Sequence, residues 1–136
     1  MNRCLLILIT ALAVSGCASR NAAITESGSQ VHVRQMQTRI YDSLDRRETL
    51  RSVLATLQDL GFVIDTADYE MGAITATRLQ EYELRVTVTV RDRANNQLAV
   101  RANARVDDRL IDDPGTYQDF FTVLDKAIFL TRHRVD

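Results

Sequence analysis

The sequence predicts a two-layer α+β domain: an antiparallel sheet with two helices packed on one face, in the order β-α-β-β-β-β-α. Three observations carry this. Residues 82–91 and 97–106 alternate apolar and polar on either side of a polar turn, the pattern of a hairpin with one dry and one wet face. Two segments, 45–60 and 113–130, place apolar residues at helical spacing behind capping residues. The small inward residues Ala102 and Ala104 let a helix approach the sheet closely, so that both layers bury their apolar faces against each other.

The domain is expected over residues 31–136. Val31 to Tyr41 (VHVRQMQTRIY) is predicted as its first strand. Val31, Val33 and Tyr41 lie on one face of that strand and Met36 and Ile40 on the other. Such mixed alternation suits an edge strand or one that changes partners midway. Asp45 and Glu48 then stand three apart, the spacing of a capping box with Asp in the usual Ser/Thr place. Leu50, Val53, Leu54, Leu57 and Leu60 form the apolar stripe of the helix they open. Gly61 supplies the left-handed position that ends it, and Phe62 folds back on its last turn.

Phe62 to Asp65 reads as a short strand, Ala67 to Gly72 as a turn, and Ala73 to Arg78 as a returning strand. In the hairpin, Tyr82, Leu84, Val86, Val88 and Val90 face inward from the first strand. Leu98, Val100, Ala102, Ala104 and Val106 do so from the second. Asp107 to Asp113 is a charged loop. Asp113 caps the last helix, with Pro114 at the first helical position, where a missing N–H costs nothing. Tyr117, Phe120, Phe121, Leu124 and Ile128 make its buried stripe, which Phe129 and Leu130 widen.

Ahead of the domain, Arg3 precedes a run, Leu5 to Val14, that is apolar apart from Thr10, and small residues follow. This is the layout of a secretory signal, too short for a spanning helix of roughly 20 apolar residues. Val14-Ser15-Gly16-Cys17 resembles the lipobox of bacterial lipoprotein precursors, with Val where Leu is favoured. The resemblance implies a signal peptide over 1–16 and acylation of Cys17. Several acyl chains anchor stably where one binds only marginally. Ala18, rather than aspartate, after the cysteine implies the outer membrane, by similarity to enterobacterial sorting. The stretch over 17–30 joins the lipidated cysteine to a small, polar tether. Its thirteen residues Ala18 to Gln30 reach at most about 45 Å, at roughly 3.5 Å each.

Composition narrows the function. The chain has 17 basic and 18 acidic residues, and Arg3 leaves with the signal, so the mature domain carries no electrostatic footprint for nucleic acid. Cys4 leaves too, and Cys17 is committed to the anchor, so no disulfide staples the domain. With no tryptophan and four phenylalanines, the core is expected to be aliphatic.

Leu57-Gln58-Asp59-Leu60-Gly61-Phe62, followed by Ile64, Asp68 and Gly72-Ala73-Ile74, resembles a family of small bacterial lipoproteins with an Arg-x-x-Gln-Thr-Arg segment ahead of the helix, here Arg34 to Arg39. Over about 30 residues it is also similar to the helix-grip-like domains of the BamC lipoproteins of the outer-membrane barrel-assembly machine. That similarity implies the fold and not the role.

No nucleophile elbow, metal-type Cys/His spacing or phosphate-binding glycine loop is present. The expectation is a protein that is not an enzyme and holds no cofactor or metal. His32 is read as a strand residue and His133 as part of a helix C-terminal charge cluster. Asp107-Asp108 and Asp112-Asp113 lack the glycine and ligand alternation of a calcium loop. The wet face of the hairpin is the richer candidate. Arg85, Thr87, Thr89 and Arg91 lie beside Arg101, Asn103 and Arg105 if the register permits, and arginine forks and hydroxyls suit carboxylate, phosphate or sugar partners. Thr and Arg are also ordinary solvent-side strand residues. Arg34, Gln37 and Arg39 sit on the predicted edge strand, where a partner's strand can add.

Two functional expectations follow. One is a non-enzymatic, membrane-anchored periplasmic adaptor that meets an envelope protein partner through these residues. The alternative is a small-ligand module for lipid or glycan. It requires a void under the C-terminal helix that Ala102 and Ala104 leave unfilled, whereas a solid core there argues against it.

Overall fold

A computed structural model describes residues 30–133. The expected signal peptide, Cys17 and the tether as far as residue 29 lie outside the described residues. The chain divides into two units, Met1–His32 and Val33–Asp136, and the second carries the α+β fold. Its elements are β1 (Thr38–Asp42), α1 (Arg46–Asp59), β2 (Val63–Asp68), β3 (Ala73–Leu79), β4 (Glu83–Arg93), β5 (Gln97–Val106), β6 (Arg109–Leu110) and α2 (Pro114–Arg132). The sheet is antiparallel with strand order β1-β5-β4-β3-β2, and β6 pairs with β5. Apart from the two-residue β6 and a helical segment over 30–36, this is the predicted order.

The first predicted strand is corrected. Residues 30–36 are helical, and only Thr38–Asp42 is extended. The Gln37 N–H donates to the Val33 carbonyl at 3.1 Å. A helical turn brings Val33, Met36 and Gln37 to one side, at i, i+3 and i+4. Val31 stays half exposed, and His32 is an exposed helical residue rather than a strand residue. The mixed alternation over 31–41 came from joining a helical turn to a short strand.

The helix ends obey local chemistry. Asp45 accepts from the Glu48 N–H at 2.8 Å, and Asp113 from the Thr116 N–H at 2.9 Å. These bonds satisfy donors that helix starts leave without an internal partner. The Thr116 N–H and hydroxyl hold the Asp113 carboxyl below the usual carboxylate range. At the end of α1, Gly61 has φ +80°. Its N–H donates to Gln58 O and that of Phe62 to Leu57 O, both at 2.9 Å, which is the paired closure of a Schellman motif.

The dry face presents Ile74, Ala76, Leu84, Val86, Val88, Val90, Leu98, Val100, Ala102 and Ala104, all buried. Leu50, Val53 and Leu57 of α1 and Tyr117, Phe120, Phe121, Leu124 and Ile128 of α2 complete the core. Three expectations are corrected here. Tyr82 precedes β4 and is exposed. Phe129 and Leu130 are each 58% exposed, Leu130 lining an open groove between the helices. The buried face of α1 extends instead through Thr49, Ser52 and Thr56. These small hydroxyl residues let α2 lie close alongside, with the Ser52 and Thr131 hydroxyls 3.4 Å apart.

The turn expected over 67–72 is shorter, because β2 continues past a bulge near Asp65, and Ala67 and Asp68 pair with Ile74 and Ala73. Gly72 closes this turn at φ +65°, held by the Val90 N–H donating to its carbonyl at 2.8 Å and by Arg46, which donates to the Glu70 carbonyl at 2.7 Å. A Cβ on Gly72 would stand 2.5 Å from the Val90 carbonyl oxygen, whereas one on Gly61 would meet only the Arg78 side chain at 3.8 Å. The two glycines are therefore separable by experiment. Gly61→Ala is expected to cost about 1 kcal/mol, the left-handed backbone penalty alone. Gly72→Ala is expected to cost about 3 kcal/mol or more, because backbone must also move. Urea unfolding of both variants at constant m value measures the difference, and equal losses would rule out the close approach at Gly72.

Candidate functional site

The edge residues expected to meet a partner are mostly turned inward. In β1, Arg39 is opposite Val100 and Tyr41 opposite Leu98, both partners being dry-face residues, so Arg39 and Tyr41 point toward the helical layer. Arg39 ion-pairs with Asp125 of α2, and its guanidinium lies 4.7 Å over the Phe121 ring. Tyr41 donates to the other Asp125 oxygen at 2.6 Å. Burial, and then the Asp125 carboxylate, pushes the Tyr41 hydroxyl above its ordinary range. Gln37 is 1% exposed, and its amide donates to the Tyr117 hydroxyl at 3.1 Å. Of the three edge candidates, Arg34 stays exposed. Gln37 and Arg39 fasten β1 to α2; the expected partner-binding role of buried Gln37 is corrected to a structural one, whereas the Arg39 side chain stays 37% exposed on an outer strand of the sheet.

The wet face does assemble. The hairpin register sets Arg85 opposite Arg105, Thr87 opposite Asn103, Thr89 opposite Arg101 and Arg91 opposite Ala99. β3 adds Thr75 beside Thr87, their hydroxyls 3.2 Å apart. Two arginines directly across a strand pair repel by a few tenths of a kcal/mol. Glu83 answers Arg85 at 2.7 Å. A surface groove of about 260 Å³ runs between Glu83, Arg85, Thr87, Arg105, Asp107 and Asp108. Arg101 is different: it is half-buried and donates to the Gln37 amide oxygen at 3.3 Å. Of the other arginines on this face, Arg91 and Arg105 have no ion-pair partner among the described residues, while Arg85 is paired with Glu83. Asp107 and Asp108, with φ of 45° and 68°, form the tight turn between β5 and β6, a use of aspartate that needs no ion. Among the described residues no three metal-ligating side chains converge.

The dry side holds a second candidate site, above Ala102 and Ala104. Between the end of α1, the start of α2 and the sheet lies a cavity of about 220 Å³. Leu57, Leu60, Phe62, Leu84, Val86, Thr116, Tyr117 and Phe120 wall it, and Ala102 and Ala104 form its floor. At roughly 30 Å³ per water, this is the room of about seven waters, more than a packing defect. The small floor residues admit Tyr117, whose hydroxyl takes the Ala104 N–H at 3.4 Å. Ala102 and Ala104 are themselves 1% and 4% exposed, so the open space lies above them, toward Leu60, Phe62, Arg78 and Asp119.

Arg78 borders the same cavity. It follows Ile74 and Ala76 at period two and pairs with Leu84, so it stands on the dry face, where a charge is out of place. Its Nη1 donates to the Leu60 carbonyl at 3.1 Å, and its guanidinium stacks 4.9 Å over the Phe62 ring. No carboxylate ion-pairs with it among the described residues. The signal was present in the strand Ala73 to Arg78: an arginine at an inward position of a half-apolar strand. A broader groove of about 770 Å³ between the helices is rimmed by Glu48, Arg51, Asp59 and Lys126, whose charges of both signs favour solvent. Among the described residues no helix is long and apolar enough to cross a membrane.

Compared with models of known protein families and with curated protein sequences, the chain matches none.

The inward residues make a stability prediction. The Tyr117 hydroxyl donates to Ile111 O at 2.6 Å and accepts from Gln37, so Tyr117→Phe leaves buried partners unsatisfied and is expected to cost about 1–3 kcal/mol. Arg39→Gln is likewise expected to lower the thermal midpoint, whereas Arg34→Gln leaves it unchanged. A midpoint insensitive to Arg39→Gln would rule out its part in fastening β1.

Proposed function

We propose that the chain is a non-enzymatic periplasmic lipoprotein, anchored through Cys17 to the outer membrane and acting as an adaptor for an envelope protein partner. The lipobox-like Val14-Ser15-Gly16-Cys17 and the small-residue tether support the anchor. The adaptor role rests on one observation: an uncovered sheet face that gathers Arg85, Arg91 and Arg105 around Thr87, Thr89 and Asn103. Forked cations interleaved with hydroxyls and an amide match a partner surface rich in carboxylates or hydroxyls. Such a partner also relieves the repulsion between Arg85 and Arg105.

A second reading, a small-ligand module, is favoured by the apolar cavity over Ala102 and Ala104. It uses the opposite side of the same strands and is compatible with the first.

Two experiments test the proposal. Crosslinking in intact cells compares the lipidated protein with a variant carrying Arg85→Ser, Arg91→Ser and Arg105→Ser, while Arg101 is kept because it is tied to Gln37. A defined envelope protein is expected with the first and at least tenfold less of it with the second. Equal capture by both would remove the sheet face from the reading. For the anchor, Cys17→Ala is expected to abolish palmitate incorporation and release the protein from membranes. Membrane fractionation that survives the substitution, with normal labelling, would overturn it.

A further inference from the structure

The cavity has an apolar body and a single cation at its border. Leu57, Leu60, Phe62, Val86 and Phe120 offer hydrocarbon and ring surface, with no hydroxyl-rich lining of the kind a sugar needs. At about 220 Å³ it lies below the roughly 300–1,000 Å³ of drug-sized sites, which limits an occupant to one short chain or a single ring. The guanidinium of Arg78 is pre-positioned by Leu60 O and the Phe62 ring, so little side-chain freedom is lost when it binds. Its Nη1 alone has a protein acceptor, leaving the rest of the fork for an anion. Asp119, an exposed carboxylate of α2, also borders the cavity. Asp119 weakens the field of Arg78, so the border suits the single charge that the Arg78 fork can hold by hydrogen bonds better than a phosphate dianion.

We propose that this cavity binds a small amphiphilic monocarboxylate, with its apolar tail against Leu60, Phe62 and Phe120 and its carboxylate on the Arg78 fork. The assignment rests on the small-ligand reading and deepens it. The border cation gives the site its preference for charge, and the small floor residues set its depth. Replacing Asp119 removes the one repulsive charge at the border.

The test titrates the full chain carrying Cys17→Ser, so that no anchor acyl chain competes, with octanoate, octan-1-ol and octylamine by calorimetry and two-dimensional NMR. Octanoate is expected to bind at least tenfold more tightly than octan-1-ol, with octylamine weakest and shifts centred on Leu60, Phe62 and Phe120. Arg78→Gln is expected to lower octanoate affinity about tenfold and leave octan-1-ol unchanged, while Asp119→Asn raises octanoate affinity. Ala104→Leu is expected to abolish binding by filling the floor, and Ala102→Val serves the same purpose if that variant does not fold. Equal binding of octanoate and octan-1-ol, both lost in Ala104→Leu, would overturn the carboxylate assignment while keeping a ligand site. No binding of any probe at millimolar concentration would overturn both, as would binding that survives a filled cavity in a folded variant.

Discussion

The hydroxyl of Tyr117 joins the parts of this domain that local structure cannot join. β5 has one outer edge, and two short strands share it: β1 along Gln97 to Arg101 and β6 along Arg105 and Val106. Between them the backbone groups of Ala102 and Ala104 would lack strand partners. The Gln37 carbonyl takes the Ala102 N–H at 2.9 Å, and the Ile111 N–H donates to the Ala104 carbonyl at 2.9 Å. Tyr117 closes the gap, accepting from Ala104 N and the Gln37 amide and donating to Ile111 O. Each of these buried groups, left without a partner, would cost about 1–3 kcal/mol. The start of α2 is thereby fixed against the sheet.

Two turns along the helix, Asp125 repeats the attachment by taking Arg39 and Tyr41 of β1. Tyr117, Phe121 and Asp125 stand at i, i+4 and i+8, one line along α2, and that line faces β1. α1 packs over β2, β3 and β4. With α2 held toward β1 and α1 toward the other edge, the floor between them is built from Ala102 and Ala104. Alanine methyls do not reach across, so the cavity beside Arg78 is the space left by where the helices are tied.

The same geometry sorts the arginines. Arg39 binds α2, Arg46 holds the turn at Gly72, and Arg101 reaches Gln37. Arg78 stands at the cavity, and Arg85, Arg91 and Arg105 remain on the solvated face. Chemically identical side chains thus divide into fasteners, a border cation and a surface array. Opposite sides of β4 and β5 carry the two candidate sites, so one hairpin supports both without their residues overlapping.

The sequence by itself determined whatever depends on neighbours within a few residues. Asp45 and Asp113 as caps, Gly61 as the stop, and the period-two hairpin of β4 and β5 were legible because each is a short-range pattern with one good solution. It also placed Arg85 and Arg105 on one face, since alternation alone fixes the side of the sheet. What only the tertiary structure decided involves partners far along the chain. Gln37 meets Tyr117 across 80 positions, and Arg39 meets Asp125 across 86. Neither segment contains a sign that its polar residue faces inward. The helical turn at 30–36, the burial of Thr49, Ser52 and Thr56 against α2, and the exposure of Phe129 and Leu130 follow the same rule. In each, the helix's or strand's own preferences allow either outcome, and the position of a distant element selects one.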